Sequence, residues 1–477
     1  MSSGFETVIG LEIHSQLLTH SKIFCFAPAE FGASENTKVG PVSAGLPGAL
    51  PVLNKRAVEL AIRAGLALNC SIKERSQFSR KNYFYPDLPK GYQISQFDLP
   101  ICENGFIDIT LENNQKKRIQ IERIHMEEDA GKSTHLANLS LVNLNRSGVP
   151  LIEIVSKPDM RSATEAVAYL KKIHQILVFA HVTDGNMEEG NFRCDVNVSV
   201  RPLGQLEFGT RTEIKNINSF RFVEKALEYE VARQIAVLQT GGKIIQETRG
   251  WDSAAGKSYS LRSKEDAHDY RYFPDPDLPP LVLSSSLIEG IKKDSPELPD
   301  TMKKRYIELF ALSEYDAEQL TSDIEWAEFF EKMISEKAPP KQAANWILGE
   351  LLGALKNLEN TSLRNSPIKA KALSDLILLI ENKTISGKIA KNVFQEMLSS
   401  GKSAETIVKE KGLVQVLNTQ EISAWSEKVI LENPSVVEEY KAGKDKVFAF
   451  LVGQVMKLSK GKANPDLVTQ ELKRLLN

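Results

Sequence analysis

The feature that most constrains the fold is a change of hydrophobic pattern near residue 295. Before it, segments such as 8–17 and 193–201 alternate apolar and polar residues, which is typical of strands with one buried face. After it, apolar residues recur every three or four positions, which is typical of amphipathic helices. Segment 272–280 carries four prolines and cannot form a helix, so it separates the two patterns. The chain is predicted to fold as an α+β domain with a largely antiparallel sheet, followed by α-helical domains.

Three domains are predicted, and 477 residues are enough to build them. The α+β domain covers 1–295, a helical domain covers 296–410, and a small helical tail covers 411–477. Inside the first domain, apolar stripes predict helices over 162–179 and 219–238.

The overall charge excludes a uniformly basic nucleic-acid-binding protein. The chain has 60 Lys and Arg against 62 Asp and Glu, a formal net charge of -2, so any contact with nucleic acid must use a local patch. One such patch lies between residues 440 and 477, where eight basic and three acidic residues give a net charge of +5. A solvated helix face and a phosphate-binding surface both explain this excess, and composition does not choose between them.

Neither a membrane span nor a disulfide framework is expected. No run of 18 apolar residues occurs, and residues 1–8 lack the pattern of a signal peptide, so we expect a cytoplasmic protein without membrane contact. The four cysteines form no C-x-x-C pair, which fits a reducing compartment. All seven histidines and all four cysteines lie at or before residue 268, so chemistry that needs imidazole or thiol belongs to the first domain.

Carboxylates near an imidazole form the first candidate site. Glu12 and His14 lie two residues apart on a predicted strand and therefore project from the same face. Glu127 and Glu128 belong to a run of three acids, and Glu153 interrupts an otherwise apolar strand. Such a set of ligands suits Mg²⁺ or Mn²⁺ better than Zn²⁺, and a cation would relieve its repulsion. Each group also has a structural explanation of its own. Glu12 and His14 could belong to an exposed polar strand face, and Glu153 could form a structural salt bridge.

Basic residues supply the counter-charge that phosphate chemistry requires. Loop 78–92 interleaves basic and aromatic side chains, a mixture that can hold phosphates and stack a base, although a loop packing its aromatics on the core fits equally well. The candidates for binding substrate and phosphate are Arg80, Lys81, Tyr83, Lys90, Arg146, Arg211 and Lys215.

The common nucleotide-binding and hydrolase motifs are excluded. Each Gly-Lys-[Ser/Thr] triplet lacks the glycine that a P-loop carries five residues earlier. No G-x-G-x-x-G opens a helix after a strand, and neither G-x-S-x-G nor H-E-x-x-H occurs. Any use of ATP would therefore need a different architecture.

Long motifs along the whole chain resemble those of the GatB family, the B subunits of the tRNA-dependent aspartyl/glutamyl amidotransferases. They include Val-Ile-Gly-Leu-Glu-Ile-His at 8–14 and His-Met-Glu-Glu-Asp-Ala-Gly-Lys at 125–132. The other matching segments are 46–48, 50–54, 80–87, 91–96, 145–155, 193–201, 213–220, 269–274, 450–456 and 460–465. They follow the same order as in the family, so the resemblance covers essentially the full length.

The resemblance implies a cradle domain with kinase and transamidase activities, a helical domain, and a YqeY-like tail that contacts tRNA. It implies a ligase that phosphorylates the side-chain carboxylate of Glu-tRNA(Gln) or Asp-tRNA(Asn) with ATP and then amidates it. Ammonia would come from glutamine on the A subunit, and the C subunit would complete a heterotrimer. It further implies Mg²⁺ bound by Glu12, His14, Glu127 and/or Glu128, and Glu153. The residues expected to act in catalysis are Glu12, His14, Glu128 and Glu153.

The chain departs from the family at a zinc site near the N-terminus. Many members carry four cysteines there, whereas this chain keeps Cys25 and has Ala27, Gly40 and Ser43 at the other three positions. One thiol cannot build a structural zinc site, so we expect none. Asn143 stands where the family usually has aspartate, and nothing in the sequence explains this change.

Two other functions compete with that of an amidotransferase. A non-catalytic tRNA-binding scaffold would use the basic tail but would have no need for acidic side chains around an imidazole on one strand face. A metal-dependent hydrolase would use Glu12 and His14, but no further histidines follow at the spacing of a zinc site.

Deletion of residues 411–477 is expected to weaken tRNA binding and to flatten its dependence on salt. Each lost phosphate contact should reduce the slope of log affinity against log salt by roughly 0.7–0.9, because fewer counterions are released. Binding titrations at several salt concentrations measure this slope. An unchanged slope would mean that the basic excess is solvated surface.

Overall fold

The computed structural model describes residues 4–111, 114–263, 267–357, 362–414, 419–459 and 462–476. The chain divides into two compact units, residues 1–299 and 300–477. The first unit combines strands with a few helices and the second contains helices, which confirms the predicted α+β class with a helical C-terminal region.

The strands of the first unit are β1 (Phe5–Gln16), β2 (Ser71–Ile72), β3 (Arg75–Ser76), β4 (Ser79–Asn82), β5 (Tyr92–Ser95), β6 (Cys102–Thr110), β7 (Lys116–Glu128), β8 (Lys132–His135), β9 (Ser140–Asn143), β10 (Pro150–Ser156), β11 (Phe192–Pro202), β12 (Thr212–Ile217), β13 (Glu247–Asp252), β14 (Lys257–Ser263), β15 (Phe273–Pro274) and β16 (Leu281–Val282). Among the described residues, nine of them form the sheet that organises this unit, in the order β14-β13-β12-β11-β1-β10-β7-β6-β2. Every pairing in this sheet is antiparallel except that of β12 with β13, as expected for a largely antiparallel sheet.

Among the described residues of the first unit, four α-helices accompany these strands, and both helices predicted for this region are observed. Ser162 and Ser219 act as N-caps, because each side-chain oxygen accepts a hydrogen bond from the first turn of the helix that follows. A short 3₁₀-helix occupies Ala267–Tyr270. The α-helices are α1 (Lys55–Ala67), α2 (Ala163–Phe179), α3 (Phe220–Gln239) and α4 (Ser285–Lys293).

The two faces of the sheet differ in accessibility, because buried and partly accessible residues alternate along β1. Ile9, Leu11 and Ile13 are fully buried in one hydrophobic core with apolar residues of α1, α2 and α3. Residues in the intervening positions, including Gly10, project from the opposite face and stay partly accessible. One face of the sheet therefore supplies stability, and the other is available for polar chemistry.

The described residues of the second unit form two separate hydrophobic cores, one between residues 306 and 408 and one between residues 422 and 476. A π-helical turn, Ile347–Leu351, joins two of its helices, and 3₁₀-helices cover Leu363–Asn365 and Asp445–Val447. None of the helices in the described part of the chain has the length and apolarity of a membrane span. The helices are α5 (Pro299–Phe310), α6 (Glu314–Leu320), α7 (Ile324–Ser335), α8 (Pro340–Trp346), α9 (Leu352–Asn357), α10 (Ala370–Glu381), α11 (Gly387–Ser400), α12 (Ala404–Glu410), α13 (Thr419–Glu432), α14 (Pro434–Lys441), α15 (Phe448–Leu458) and α16 (Pro465–Leu476).

Three of the four positions of the family's zinc site lie close together in the first unit. A Cβ atom added at Gly40 would lie 2.4 Å from the Cys25 sulfur and 3.1 Å from the Ala27 Cβ. Small side chains therefore pack where many members of the resembled family have further thiols, and the lack of a structural zinc stays a prediction.

Gly65 tests the packing of α1 against the sheet. A Cβ at this position would lie 2.4 Å from the Cys102 sulfur and 2.7 Å from the Ile72 Cδ1, so Gly65→Ala should destabilise the first unit by about 1–3 kcal/mol. In α4, Gly290 has no atom within 4 Å of an added Cβ, and Gly290→Ala should stabilise by roughly 0.5–1 kcal/mol. Urea unfolding curves measure both changes, and equal effects of the two variants would contradict this packing.

Candidate active site

Strand pairing brings the candidate site together on the accessible face of the sheet. Across β1 and its neighbours, Glu12 lies opposite Asp195 of β11, and His14 lies opposite Glu153 of β10. Glu153 in turn lies opposite His125 of β7. Residues directly opposite each other in an antiparallel pair point to the same face, so four strands contribute side chains to one surface.

His14, Glu127 and Glu153 form a first cluster, called here the His14 cluster. One ligand atom from each lies within 4.8 Å of the others. The His14 Nε2 atom is 3.2 Å from Glu153 Oε2 and 3.6 Å from Glu127 Oε1. A second imidazole joins these carboxylates, because His125 Nε2 is 3.3 Å from Glu153 Oε2.

In the His14 cluster, charge interactions shift the pKa values more strongly than burial does. Burial alone would lower the pKa of His14, but the Glu153 carboxylate, with help from Glu127 and Asp195, raises it. The pKa of His125 rises to about 9, because Glu153 and Glu127 outweigh its burial. Burial likewise fails to raise the pKa of Glu153, which the two imidazoles hold well below its usual range. The pKa of Glu127 is also lowered, because His125 and His14 outweigh its burial, so Glu127 and Glu153 both stay ionised at neutral pH.

Glu12, Asp195 and Glu213 form a second cluster, the Glu12 cluster, whose ligand atoms also lie within 4.8 Å of one another. Asn197 Nδ2 donates a hydrogen bond of 2.9 Å to Glu12 Oε1. Lys215 Nζ lies 3.0 Å from Asp195 Oδ2 and 3.5 Å from Glu213 Oε1. Asp195, followed by Glu213 and Glu12, raises the pKa of Lys215 despite its burial, so its ammonium group stays charged.

Both clusters have donor sets that fit a divalent cation. The Glu12 cluster offers only carboxylate oxygens, which Mg²⁺, Mn²⁺ and Ca²⁺ prefer. The His14 cluster adds one imidazole to two carboxylates. His125 Nδ1 is buried without a hydrogen-bond partner among the described residues, so its ring is held only through Nε2. Adjacent carboxylates repel one another strongly, and a bound cation would relieve this repulsion.

One cavity of about 330 Å³, called here the active-site cavity, contacts both clusters. Four cationic side chains also line it, and they balance part of the acidic charge. Aromatic rings form a further part of its wall, where Phe97 and Tyr272 stack with centroids 4.2 Å apart and planes 8° from parallel. The cations are Lys81, Arg123, Arg211 and Lys215.

Three of the predicted phosphate-binding residues line this cavity, namely Lys81, Arg211 and Lys215. Lys81 lies 4.8 Å from the centroid of the Tyr270 ring. Burial opposes its charge, but the surroundings, including Glu127 and Glu153, raise the pKa of Lys81. Its ammonium group is therefore available to an anion at neutral pH.

The other four predicted residues have different surroundings. Arg80 Nε lies 3.0 Å from Asp275, and the Arg80 guanidinium stacks on Tyr92 at 4.2 Å. Arg146 donates hydrogen bonds to the backbone oxygens of residues 130 and 131, at 2.9 Å and 2.6 Å, and so holds that turn. Tyr83 packs edge-on against Tyr85 with centroids 5.8 Å apart. None of Arg80, Tyr83, Lys90 and Arg146 is among the residues that line the active-site cavity.

Glu128 is the predicted ligand that the structure places in neither cluster. Its carboxylate pairs with the Lys90 ammonium group and accepts a hydrogen bond of 2.9 Å from the Ile94 backbone N–H. The Lys90 and Glu128 side chains are only 4% and 1% exposed. Since successive residues of β7 point to opposite faces, Glu127 joins His14, whereas Glu128 points away from it. Glu128 and Lys90 therefore neutralise each other inside the fold.

The sequence predicted a single ion site, whereas the structure divides its ligands between two clusters. Glu12 belongs to one, and His14, Glu127 and Glu153 belong to the other. The pleat and the registers of β10 and β11 cause this division, since Glu12 and His14 face different partners along β1.

Comparison with known proteins identifies the family. Residues 7–289 match a family model described as the GatB/GatE catalytic domain, and residues 328–476 match one described as the GatB domain. The chain belongs to the GatB family. Over 478 residues, and 99% of both chains, it is 58% identical to a protein of Geotalea uraniireducens. It is 56% identical over 477 residues to one of Geobacter sulfurreducens and 55% identical over 473 residues to one of Thermodesulfovibrio yellowstonii, again over 99% of both chains. Each relative is named as the B subunit of an aspartyl/glutamyl-tRNA(Asn/Gln) amidotransferase.

All residues of the active-site cavity fall inside the GatB/GatE catalytic-domain match. Sequence reasoning missed several of them as site residues, including His125, Asp195 and Glu213 around the two clusters. The sequence did indicate Asp195, because the alternation of 193–201 places it on the polar face of a strand. No local pattern indicated Glu213 as a site residue, since its position depends on the pairing of β12 with β11.

Replacing Lys90 tests whether it serves the fold rather than phosphate binding. Lys90→Met leaves the Glu128 charge buried without its partner and should destabilise this GatB-family chain by about 3–5 kcal/mol. Adding Glu128→Gln should recover most of the loss, because the amide oxygen can still accept from Ile94. Urea unfolding of both variants measures the coupling.

Arg118→Met provides a matched control at an exposed ion pair with Asp108. It should change the unfolding midpoint little, because solvent screens such pairs. Wild-type stability of the Lys90→Met variant, combined with weakened binding of a phosphate ligand, would contradict a structural role for Lys90.

Proposed function

We propose that this chain is the B subunit of a glutamine-dependent tRNA amidotransferase. It would use ATP to phosphorylate the side-chain carboxylate of Glu-tRNA(Gln), Asp-tRNA(Asn) or both, and then form the amide. The observation that carries this proposal is the meeting of two acidic clusters and four cations in one cavity. The names of the relatives support the substrate class.

The cavity has the groups that phosphoryl transfer requires. Lys81, Arg211 and Lys215 would bind phosphate oxygens and offset the charge that several anions bring together. The Glu12 and His14 clusters would each hold Mg²⁺, which when bound neutralises charge on the transferring phosphoryl group. Two clusters and three cations would thus fix the triphosphate and the acceptor carboxylate next to each other.

The proposed reaction has two steps. An oxygen of the tRNA-bound carboxylate attacks the γ-phosphorus of ATP, the bond from that phosphorus to the bridging oxygen breaks, and ADP leaves. Ammonia then attacks the carbonyl carbon of the acyl phosphate, a C–N bond forms, the nitrogen loses a proton, and inorganic phosphate leaves. The first step is necessary because oxide is a poor leaving group, whereas phosphate is a good one.

The proposal also requires partners. Ammonia would come from glutamine hydrolysed on the A subunit, and the C subunit would complete a heterotrimer. The designation of the relatives as B subunits supports an assembly of several chains. Misacylated tRNA would contact the basic tail, and the reaction would take place in the cytoplasm, where charged tRNA and ATP are available.

Neutral, nearly isosteric substitutions in each cluster test this function in the intact complex. Glu213→Gln and Glu153→Gln should each lower the formation of amidated tRNA by at least about 100-fold, because an amide is a far weaker cation ligand than a carboxylate. Glutamine hydrolysis should persist, and raised Mg²⁺ or Mn²⁺ should restore part of the activity.

Glu228→Gln is the matched control, since Glu228 is exposed on α3 and lies outside the cavity. It should leave amidation unchanged. Wild-type amidation by both Glu213→Gln and Glu153→Gln would contradict the role of the clusters. If the wild-type complex hydrolysed no ATP with misacylated tRNA, a tRNA-binding scaffold would be the better description.

A further inference from the structure

The side chain of Thr248, on β13, forms part of the wall of the active-site cavity. Its Oγ1 atom donates a hydrogen bond of 2.9 Å to Glu213 Oε2. Thr248 is only 3% exposed, so this hydrogen bond is shielded from water. A carboxylate can only accept hydrogen bonds, so the hydroxyl proton points at Glu213.

The Glu213 carboxylate is held at both of its oxygens. Thr248 binds Oε2, and Lys215 Nζ lies 3.5 Å from Oε1. The last torsion of a glutamate side chain has only a broad preference, so hydrogen bonds rather than rotamers determine where its oxygens point. Thr248 therefore orients a carboxylate whose ligand atom lies within 4.8 Å of those of Glu12 and Asp195.

Backbone pairing brings Thr248 and Glu213 together. They lie opposite each other where β12 and β13 run parallel, and both line the cavity. The parallel pairing is short, extending over three residue pairs from Glu213 with Thr248 to Lys215 with Gly250. Parallel pairing is also slightly less stable per residue than antiparallel pairing. The position of Thr248 therefore depends on further contacts that hold β13.

Arg249 supplies such contacts on the other face of the sheet. Successive residues of a strand point to opposite faces, so Thr248 faces the cavity and Arg249 faces α3. Arg249 Nε donates a hydrogen bond of 2.8 Å to Ser258 Oγ of β14. That hydroxyl donates one of 3.0 Å to Oε2 of Glu230, a fully buried carboxylate on α3. A buried polar network thus fastens β13 to both β14 and α3.

We propose that Thr248 is a positioning residue of the reaction, which acts through Glu213. Its hydroxyl holds the Glu213 carboxylate in the orientation that binds a divalent cation together with Glu12 and Asp195. This inference rests on the proposed function, and it adds a residue that acts on a ligand of the cation rather than on the cation itself. Partners of this kind strengthen metal binding because they orient the ligand in advance.

Thr248→Val in the intact complex tests this proposal, since valine nearly keeps the shape of threonine and removes the hydroxyl. Without nucleotide or tRNA, Mn²⁺ alone should bind one of the two clusters about 10- to 100-fold more weakly, as is usual when a metal ligand loses its outer partner. Electron paramagnetic resonance of free Mn²⁺ during a titration measures this change. Thr248→Ser should retain the wild-type affinity, because it keeps the hydroxyl.

Thr212→Val is the matched control on the neighbouring strand. Thr212 is fully buried and does not line the cavity, and its Oγ1 accepts a hydrogen bond of 3.2 Å from Gln234. Its substitution should lower the midpoint of urea unfolding, because Gln234 loses this acceptor, but should leave Mn²⁺ affinity unchanged. Equal weakening of Mn²⁺ binding by Thr212→Val and Thr248→Val would assign the effect to lost stability and overturn the proposal.

A double variant tests whether Thr248 acts through Glu213. In a Glu213→Gln background, Thr248→Val should weaken Mn²⁺ binding by less than about twofold, because the carboxylate that it orients is already absent. A fully additive loss would show that Thr248 acts on another group and would overturn the assignment.

Mn²⁺ binding also separates this inference from the proposed function. Wild-type Mn²⁺ affinity in Thr248→Val, with ATP-dependent amidation by the wild-type complex, would overturn the positioning role alone. Failure of the wild-type complex to bind Mn²⁺ at either cluster would overturn both.

Discussion

Mutual repulsion among carboxylates on one sheet face is the constraint around which the first unit is built. His14, Glu127 and Glu153 share one small region, and Glu12, Asp195 and Glu213 share the next. Two imidazoles offset part of this charge in the first region, and Lys215 offsets part of it in the second. Such a concentration of negative charge is common where a protein binds cations.

The opposite face of the sheet is packed in the hydrophobic core, which stabilises strands that carry many carboxylates on their accessible face. Aliphatic residues of β1, β10 and β11 pack against three helices, and they hold the strands in a register that repulsion alone would disturb. Lys90 and Glu128, both buried, neutralise each other. Arg80 and Lys90, which make structural ion pairs, do not line the active-site cavity, whereas the cavity cation Lys215 pairs with Asp195 and Glu213.

The sequence allowed the fold class, the helices after Ser162 and Ser219, and the shared strand face of Glu12 and His14 to be predicted, because these depend on local patterns. Alternation placed Glu12 and His14 on one face before any pairing was known. The partners of Lys90 and Arg146, and the recruitment of Glu213, depend on contacts between distant segments, which no local pattern encodes. The choice between Glu127 and Glu128 depended on strand pleat, and the structure alone shows which carboxylate faces His14.

The double pairing of β1 has a consequence for how such a chain can change over evolutionary time. A single-residue insertion or deletion between Gly10 and His14 would exchange the two faces of the strand beyond it, placing carboxylate and imidazole in the core and isoleucine in the cavity. No compensating substitution at one position could repair this. Length variation is therefore expected to be confined to loops, and the spacing within this strand should be invariant among relatives that retain the same chemistry.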